Sequence, residues 1–155
     1  PMENVVLEIL DYKPAHQLWF EKLNRQWIEH YFWIEPIDVE VLQHPDKTII
    51  DKGGAILMAS IDGEIAGTVA LKFVEPGVYE FTKMAVDKKY RGQKIGKALG
   101  EAAIDKAKKL GGRKIILYSN TILIPAIELY RKLGFFEVPV DGPYKRSDIK
   151  MELSF

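Results

Sequence analysis

Met84-Ala85-Val86-Asp87-Lys88-Lys89-Tyr90-Arg91-Gly92-Gln93-Lys94-Ile95-Gly96-Lys97 runs from an apolar strand-like segment, through a basic glycine-punctuated loop, into the head of a helix. The first N–H groups of a helix have no partner inside it and sit at the positive end of its dipole, so such a junction can hold an anion. Lys88, Lys89, Arg91, Lys94 and Lys97 add local positive charge. The competing reading is a solvated basic face whose glycines only shape the turn. A P-loop does not fit, because Gly92 and Gly96 enclose three residues instead of four and Ala98 stands where a Ser or Thr would hold magnesium. A Rossmann fingerprint does not fit either, since it should follow the first strand of a βαβ unit.

Downstream, Ile95, Leu99, Ala102, Ala103, Ala107 and Leu110 share one helical face, with Lys97, Glu101, Asp105 and Lys109 on the other. A basic last turn and Gly111-Gly112 end this helix. Ile115 to Tyr118 reads as a buried strand, Pro125 to Leu133 as a helix closed by Gly134, and Phe135 to Val138 and Ile149 to Leu153 as strands. Upstream, Ala55 to Ile61 and Ile65 to Phe73 flank Asp62-Gly63, a hairpin signal. Glu75-Pro76-Gly77 then turns the chain into Val78 to Val86, giving a three-stranded antiparallel meander.

Val5 to Leu10 is a strand candidate, and Pro14 opens a helix reaching about Phe32, on which Phe20, Leu23, Trp27 and Tyr31 form an apolar stripe. Pro36 starts a short helix that His44-Pro45 ends. This order predicts an α/β fold: a mixed, mostly antiparallel central sheet of about six to seven strands with helices on both faces. One domain over residues 2–155 is expected from the length, which allows burial of roughly 70% of the unfolded surface.

Twenty-two basic residues balance twenty-two acidic ones, so the overall field that nucleic-acid binding draws on is missing and no nucleic-acid partner is expected. No stretch approaches the ~20 apolar residues of a membrane span, and no membrane partner is expected. The absence of cysteine excludes disulfides and a Cys nucleophile and fits a soluble protein of the reducing cytoplasm. His16, His30 and His44 lack metal-ligand spacing, so no metal is expected.

The Met84 to Lys97 segment resembles the acetyl-CoA-binding motif of the GNAT superfamily of N-acetyltransferases, [Q/R]-x-x-G-x-[G/A], which Arg91, Ile95 and Gly96 fit. Lys94 replaces the motif's central glycine, at the closest backbone approach to the pyrophosphate. A second segment, Ser119-Asn120-Thr121 followed by Pro125-Ala126-Ile127-Glu128-Leu129-Tyr130-Arg131-Lys132-Leu133-Gly134-Phe135, resembles the family's other cofactor-side motif. The resemblance covers roughly Gly54 to the C-terminus, and the first fifty residues match only loosely.

The resemblance implies that the strands Val78 to Val86 and Lys114 to Ser119 splay apart near the cofactor. Pantetheine would bond to the exposed edge at the N–H groups of Met84 and Val86, with Ala85 between them. Arg91, Gly92, Gln93, Lys94, Ile95, Gly96 and Lys97 would hold the diphosphate of acetyl-CoA, and Asn120 the pantetheine unless it only forms a turn. Tyr130 would protonate the departing thiolate, the alternative being a core tyrosine. Glu80, a carboxylate in an apolar strand, would assist deprotonation of a primary amine, the alternative being a salt bridge to Lys83 or Lys72.

The implied activity is acetyl transfer to a small-molecule or peptide amine by direct attack in a ternary complex. A homodimer is compatible with the resemblance. A non-catalytic acyl-CoA sensor and an interaction domain seamed by the aromatic helix are the competing functions. Trp33, beyond the stripe, is the preferred acceptor-site aromatic. Glu35, Asp38 and Glu40 either attract a cationic amine or form a solvated acidic loop.

Overall fold

The computed structural model describes residues 6–92, 94–142 and 144–155, which leaves Gln93 of the expected diphosphate segment outside. After β1 (Leu7–Asp11) and a 3-10 turn at Pro14–His16, the chain forms α1 (Gln17–Tyr31) and α2 (Pro36–Gln43), then a π-helical turn at Asp46–Ile50. The meander follows as β2 (Ala55–Ile61), β3 (Glu64–Glu75) and β4 (Val78–Val86). Next come α3 (Ile95–Lys109), β5 (Lys114–Ser119), α4 (Ile124–Leu133), β6 (Phe136–Val138) and β7 (Ile149–Ser154). No helix among the described residues is long and apolar enough to cross a membrane.

Asp62 and Gly63 both take positive φ, 50° and 85°, the backbone that a two-residue hairpin loop requires between right-twisted strands. The seven strands lie in the order β1-β2-β3-β4-β5-β7-β6. Every pairing is antiparallel except β4 with β5, which α3 connects as a crossover. Val5, the expected start of the first strand, lies outside the described residues; Leu7 to Asp11 pair with Leu57 to Ile61 in antiparallel register. Leu110 leaves the apolar face assigned to it and is 40% exposed, since it caps α3 instead of continuing it.

Two cores result, one on each side of the sheet. Ile95, Leu99, Ala103 and Ala107 of α3 pack with Phe81, Ile115 and Leu117 on one side. Phe20 and Ile28 of α1 pack with Leu42, Met58 and Ala70 on the other.

Gly67 sets the height of α3 above the sheet. A Cβ there would stand 3.0 Å from Leu99 Cδ1 and 3.2 Å from Ile95 Cγ2, closer than side chains ordinarily allow. Gly67→Val is therefore expected to push the head of α3 outward, costing about 1–3 kcal/mol by overpacking. Denaturant unfolding would read this as a lower midpoint at unchanged slope.

Candidate active site

β4 and β5 pair only at Val78–Lys114, Tyr79–Ile115 and Glu80–Ile116. From Phe81 onward the β5-facing edge of β4 has no strand partner among the described residues. A bulge contributes to the parting: between the pairs Ala70–Thr82 and Thr68–Ala85, β4 carries one residue more than β3, and Lys83 lies in the left-handed region at φ 54°. Such a bulge bends its strand and re-aims a side chain.

The direction of the free donors follows from strand alternation. Asp87 N–H donates to Ala66 O on the β3 side, so Ala85 N–H also faces β3, while those of Val86 and Met84 face the open wedge. Met84, Ala85 and Val86 thus lie on the stretch of β4 that β5 does not pair, with Ala85 itself buried.

The wedge leads to the head of α3. Lys94 is its N-cap residue, at φ 61°, and no side-chain hydrogen bond caps the helix. A left-handed residue with a side chain costs roughly 1–2 kcal/mol, which a glycine avoids. A glycine at that place, as in the resembling motif, would avoid this cost. Gly92 also has positive φ, 82°, with nothing within 4 Å of a Cβ built on it. Ile95 is buried, and a Cβ on Gly96 would meet Leu129 of α4 at 3.4 Å and Met84 at 3.9 Å, ordinary contact distances.

Among the described residues Lys88, Arg91, Lys94 and Lys97 enter no ion pair, while Lys89 lies 3.6 Å from Glu64. Uncapped N–H groups, free cations and an exposed strand edge in one line fit a phosphorylated, amide-bearing chain such as coenzyme A.

A pocket occupies the mouth of the wedge, lined by Glu80, Lys83, Tyr118, Tyr130, Tyr144 and Arg146, with Asn24, Trp27 and Phe32 of the N-terminal helix segment. Glu80 is 6% exposed. Neither expected salt bridge forms: Lys72 stands opposite it in the ladder, Lys83 turns to Asp38, and the bond Glu80 does make comes from the Tyr144 hydroxyl at 2.9 Å. Burial pushes the Glu80 carboxyl above its ordinary value, and the Tyr144 hydrogen bond and the neighbouring lysine charges only partly oppose it. Burial and the Glu80 charge raise the Tyr144 phenol strongly, so it stays a donor.

Tyr130 packs edge-on to Phe81 and Phe135, with ring centroids 5.7 and 6.1 Å away. It belongs to the core and the pocket at once. Burial alone pushes its phenol up to about 12, so the proton is held throughout the neutral range. Asn120 also lines the pocket, with both ends of its amide committed: Nδ2 donates to Arg146 O at 2.8 Å, and Oδ1 accepts from Ile122 N–H at 3.0 Å. Its side chain ties the loop after β5 to the segment before β7.

Of Glu35, Asp38 and Glu40, only Asp38 is withdrawn from solvent, into a buried cluster, while Glu40 is exposed. Asp38 is 1% exposed and receives both Arg146 nitrogens, at 3.0 and 3.1 Å, together with the Glu35 N–H at 2.9 Å. Burial alone would raise its carboxyl, yet these hydrogen bonds and the Lys83 charge hold it below the usual carboxylate range. Arg146 also donates to Trp33 O at 2.9 Å. The Trp33 side chain is 63% exposed and outside the pocket, whereas Trp27, assigned by periodicity to the stripe, lines it.

Tyr144, Arg146 and Asn24 were missed by the sequence reading. Asn24 alone left a signal there, as a polar residue four positions from both Phe20 and Ile28 on an apolar face. Among the described residues, no group of three or more His, Asp or Glu is placed to hold a metal ion.

The profile of the Acetyltransferase (GNAT) family matches residues 13–135 of this chain. The chain is a member of the GNAT acetyltransferase family. An uncharacterized N-acetyltransferase of Bacillus subtilis, YvbK, is 34% identical over 113 residues, 71% of this chain and 73% of that protein. N-acetylaspartate synthetase of Mus musculus is 27% identical over 123 residues, which covers 75% of this chain and only 41% of that protein.

Among solved structures, a GNAT acetyltransferase of Staphylococcus aureus superposes with TM-score 0.87 at 22% identity, covering 96% and 99% of the two chains. PaiA N-acetyltransferase of Thermoplasma acidophilum, solved in complex with coenzyme A, superposes with TM-score 0.76 at 21% identity over 97% and 99%. The GNAT fold thus extends over β1 and α1, where the sequence motifs give out.

Removing the shared anion of the buried cluster leaves Arg146 and Lys83 without compensation. Asp38→Ala is expected to destabilise the GNAT domain by about 3–5 kcal/mol at neutral pH, the scale for breaking a buried ion pair. Thermal unfolding checks this. Because the Asp38 pKa is depressed in the fold, the difference from wild type should shrink as pH falls through that lowered value.

Proposed function

We propose that this chain transfers an acetyl group from acetyl-coenzyme A to the nitrogen of a primary amine, with both bound at once. The observation that carries this reading is the open β4 edge, which the chain follows with the uncapped, cationic head of α3, together with the Glu80 pocket beside that edge. The N–H groups of Met84 and Val86 would hold the amide-bearing arm. The α3 head from Arg91 to Lys97 would hold the diphosphate, and Asn120 would shape the wall between them. Acetyl-coenzyme A supplies the activated acyl group as a thioester.

An alkylamine is mostly protonated at neutral pH, with a pKa near ~10.4, and must lose a proton before it can attack. Glu80 Oε accepts that proton, directly or through water. Its raised pKa brings its basicity closer to the working pH, where a general base is most effective. Tyr130 stands on the α4 side of the wedge with its proton held by burial, ready to give it to the departing sulfur. A free thiol titrates near ~8.5, so the acid assists without being indispensable.

Thiol release on incubation with acetyl-coenzyme A and a panel of amines tests the reading. Turnover of at least one primary amine is expected. A rise in melting temperature with coenzyme A but no turnover of any amine would favour a sensor instead.

Glu80→Gln is expected to lower kcat by roughly 10²–10⁴. It should also abolish the acid limb of the kcat profile, which in wild type lies above the ordinary carboxylate range. The stability effect runs the other way. The folded pKa of Glu80 is raised, so ionisation costs stability as pH rises through it, and Gln is expected to leave the neutral-pH melting temperature unchanged or higher. Tyr130→Phe should reduce kcat by about 10²–10⁴ with little change in the KM for acetyl-coenzyme A, read by steady-state kinetics.

A further inference from the structure

Resting on that acetyl-transfer reading, we infer that the acceptor is a small zwitterion: a primary amine with a carboxylate close to its nitrogen, the carboxylate being received by Lys83. Four charged groups meet at the pocket: Glu80, Lys83 and Arg146 line it, and Asp38 lies behind them. Lys150, which also acts on Glu80, is committed to Asp141 at 2.8 Å.

Asp38 is already filled. Its two oxygens take the fork of Arg146 at 3.0 and 3.1 Å and the Glu35 N–H at 2.9 Å, so its charge is matched by the guanidinium. Lys83 reaches it only at 3.7 Å, beyond hydrogen-bond distance, though its side chain is just 13% exposed. An ammonium group has three donors, and burying it without filling them is costly: burial draws the Lys83 amine below its ordinary pKa, and the Asp38 and Glu80 charges only partly oppose this. The fold holds it there by a bulge that places Lys83 itself at φ 54°.

A carboxylate in the pocket would complete the ammonium, while the acceptor's amine meets Glu80, which among the described residues takes a side-chain hydrogen bond from the Tyr144 hydroxyl alone. A polyamine or plain alkylamine supplies no anion and would bring positive charge beside Lys83. The flanking rings of Trp27, Phe32, Tyr118 and Tyr144 suit the apolar remainder of such a molecule.

The test compares leucine and phenylalanine with their carboxamides and with their decarboxylated amines, by kcat/KM from thiol release, in wild type, Lys83→Met and Lys83→Arg. The carboxamides control for amine basicity, because their amines are less basic than those of the acids. Wild type is expected to prefer the acids at least about 10-fold over both analogues. Lys83→Met should erase that preference, raising the KM of the acids roughly 10- to 100-fold while turnover of the decarboxylated amines persists. Lys83→Arg should keep the preference.

Equal or better use of the neutral analogues by wild type overturns the inference, as does an unchanged acid preference in Lys83→Met. If Lys83→Met does not fold, the wild-type comparison decides by itself. Turnover of none of these amines or of the wider panel would refute acetyl transfer itself, a result distinct from turnover without acid preference.

Discussion

After Glu80 the two central strands stop sharing hydrogen bonds, and the chemistry of the site depends on that parting. Backbone donors that end up in a protein interior are normally paired, because an unpaired one forfeits its bond to water. An edge left open in the middle of a seven-stranded sheet is therefore an unmet demand that an extended ligand with its own amides can satisfy. The bulge at Lys83 and the crossover through α3 maintain the opening. The short approach of α3 over Gly67 brings the helix head to its lower end.

On the opposite face of β4 the dominant interaction is the buried cluster of Asp38, Arg146 and Lys83. It joins the second helix, the segment before the last strand and the bulge, which are remote in sequence and have no hydrogen-bonded ladder between them. Tyr144 reaches down from the same segment to Glu80. The carboxylate read as the base is thus held by a roof that is itself clamped to α2.

Much of the sheet side of the molecule was legible beforehand because its signals are local. Asp62-Gly63 specifies a hairpin by backbone conformation, the period of Ile95, Leu99 and Ala103 specifies a buried helical face, and Gly134 ends α4 with φ 106°. The wedge residues could be named because glycines, basic residues and the strand-to-helix change fall within a dozen positions. The pocket around Glu80 was not legible in the same way. Asp38 looks solvated in sequence because Arg146 lies 108 residues away, and Tyr144 sits in a stretch with no periodicity at all. Trp27, not Trp33, lines the pocket for a related reason: helical period tells which face is apolar, but not whether that face meets a core or a cavity.

The two faces of β4 draw their walls from different parts of the chain. The uncapped helix head and Tyr130 come from α3 and α4, while Asn24, Trp27 and Ile28 of α1 and Tyr144 and Arg146 on the approach to β7 line the pocket. Alternation along one strand keeps these sets of walls on opposite sides of a single ribbon. On the proposed reading, acceptor preference can drift through changes in α1 and the roof, with the donor-holding half left intact. Such a division of labour lets one scaffold diversify its clientele without re-inventing its reagent.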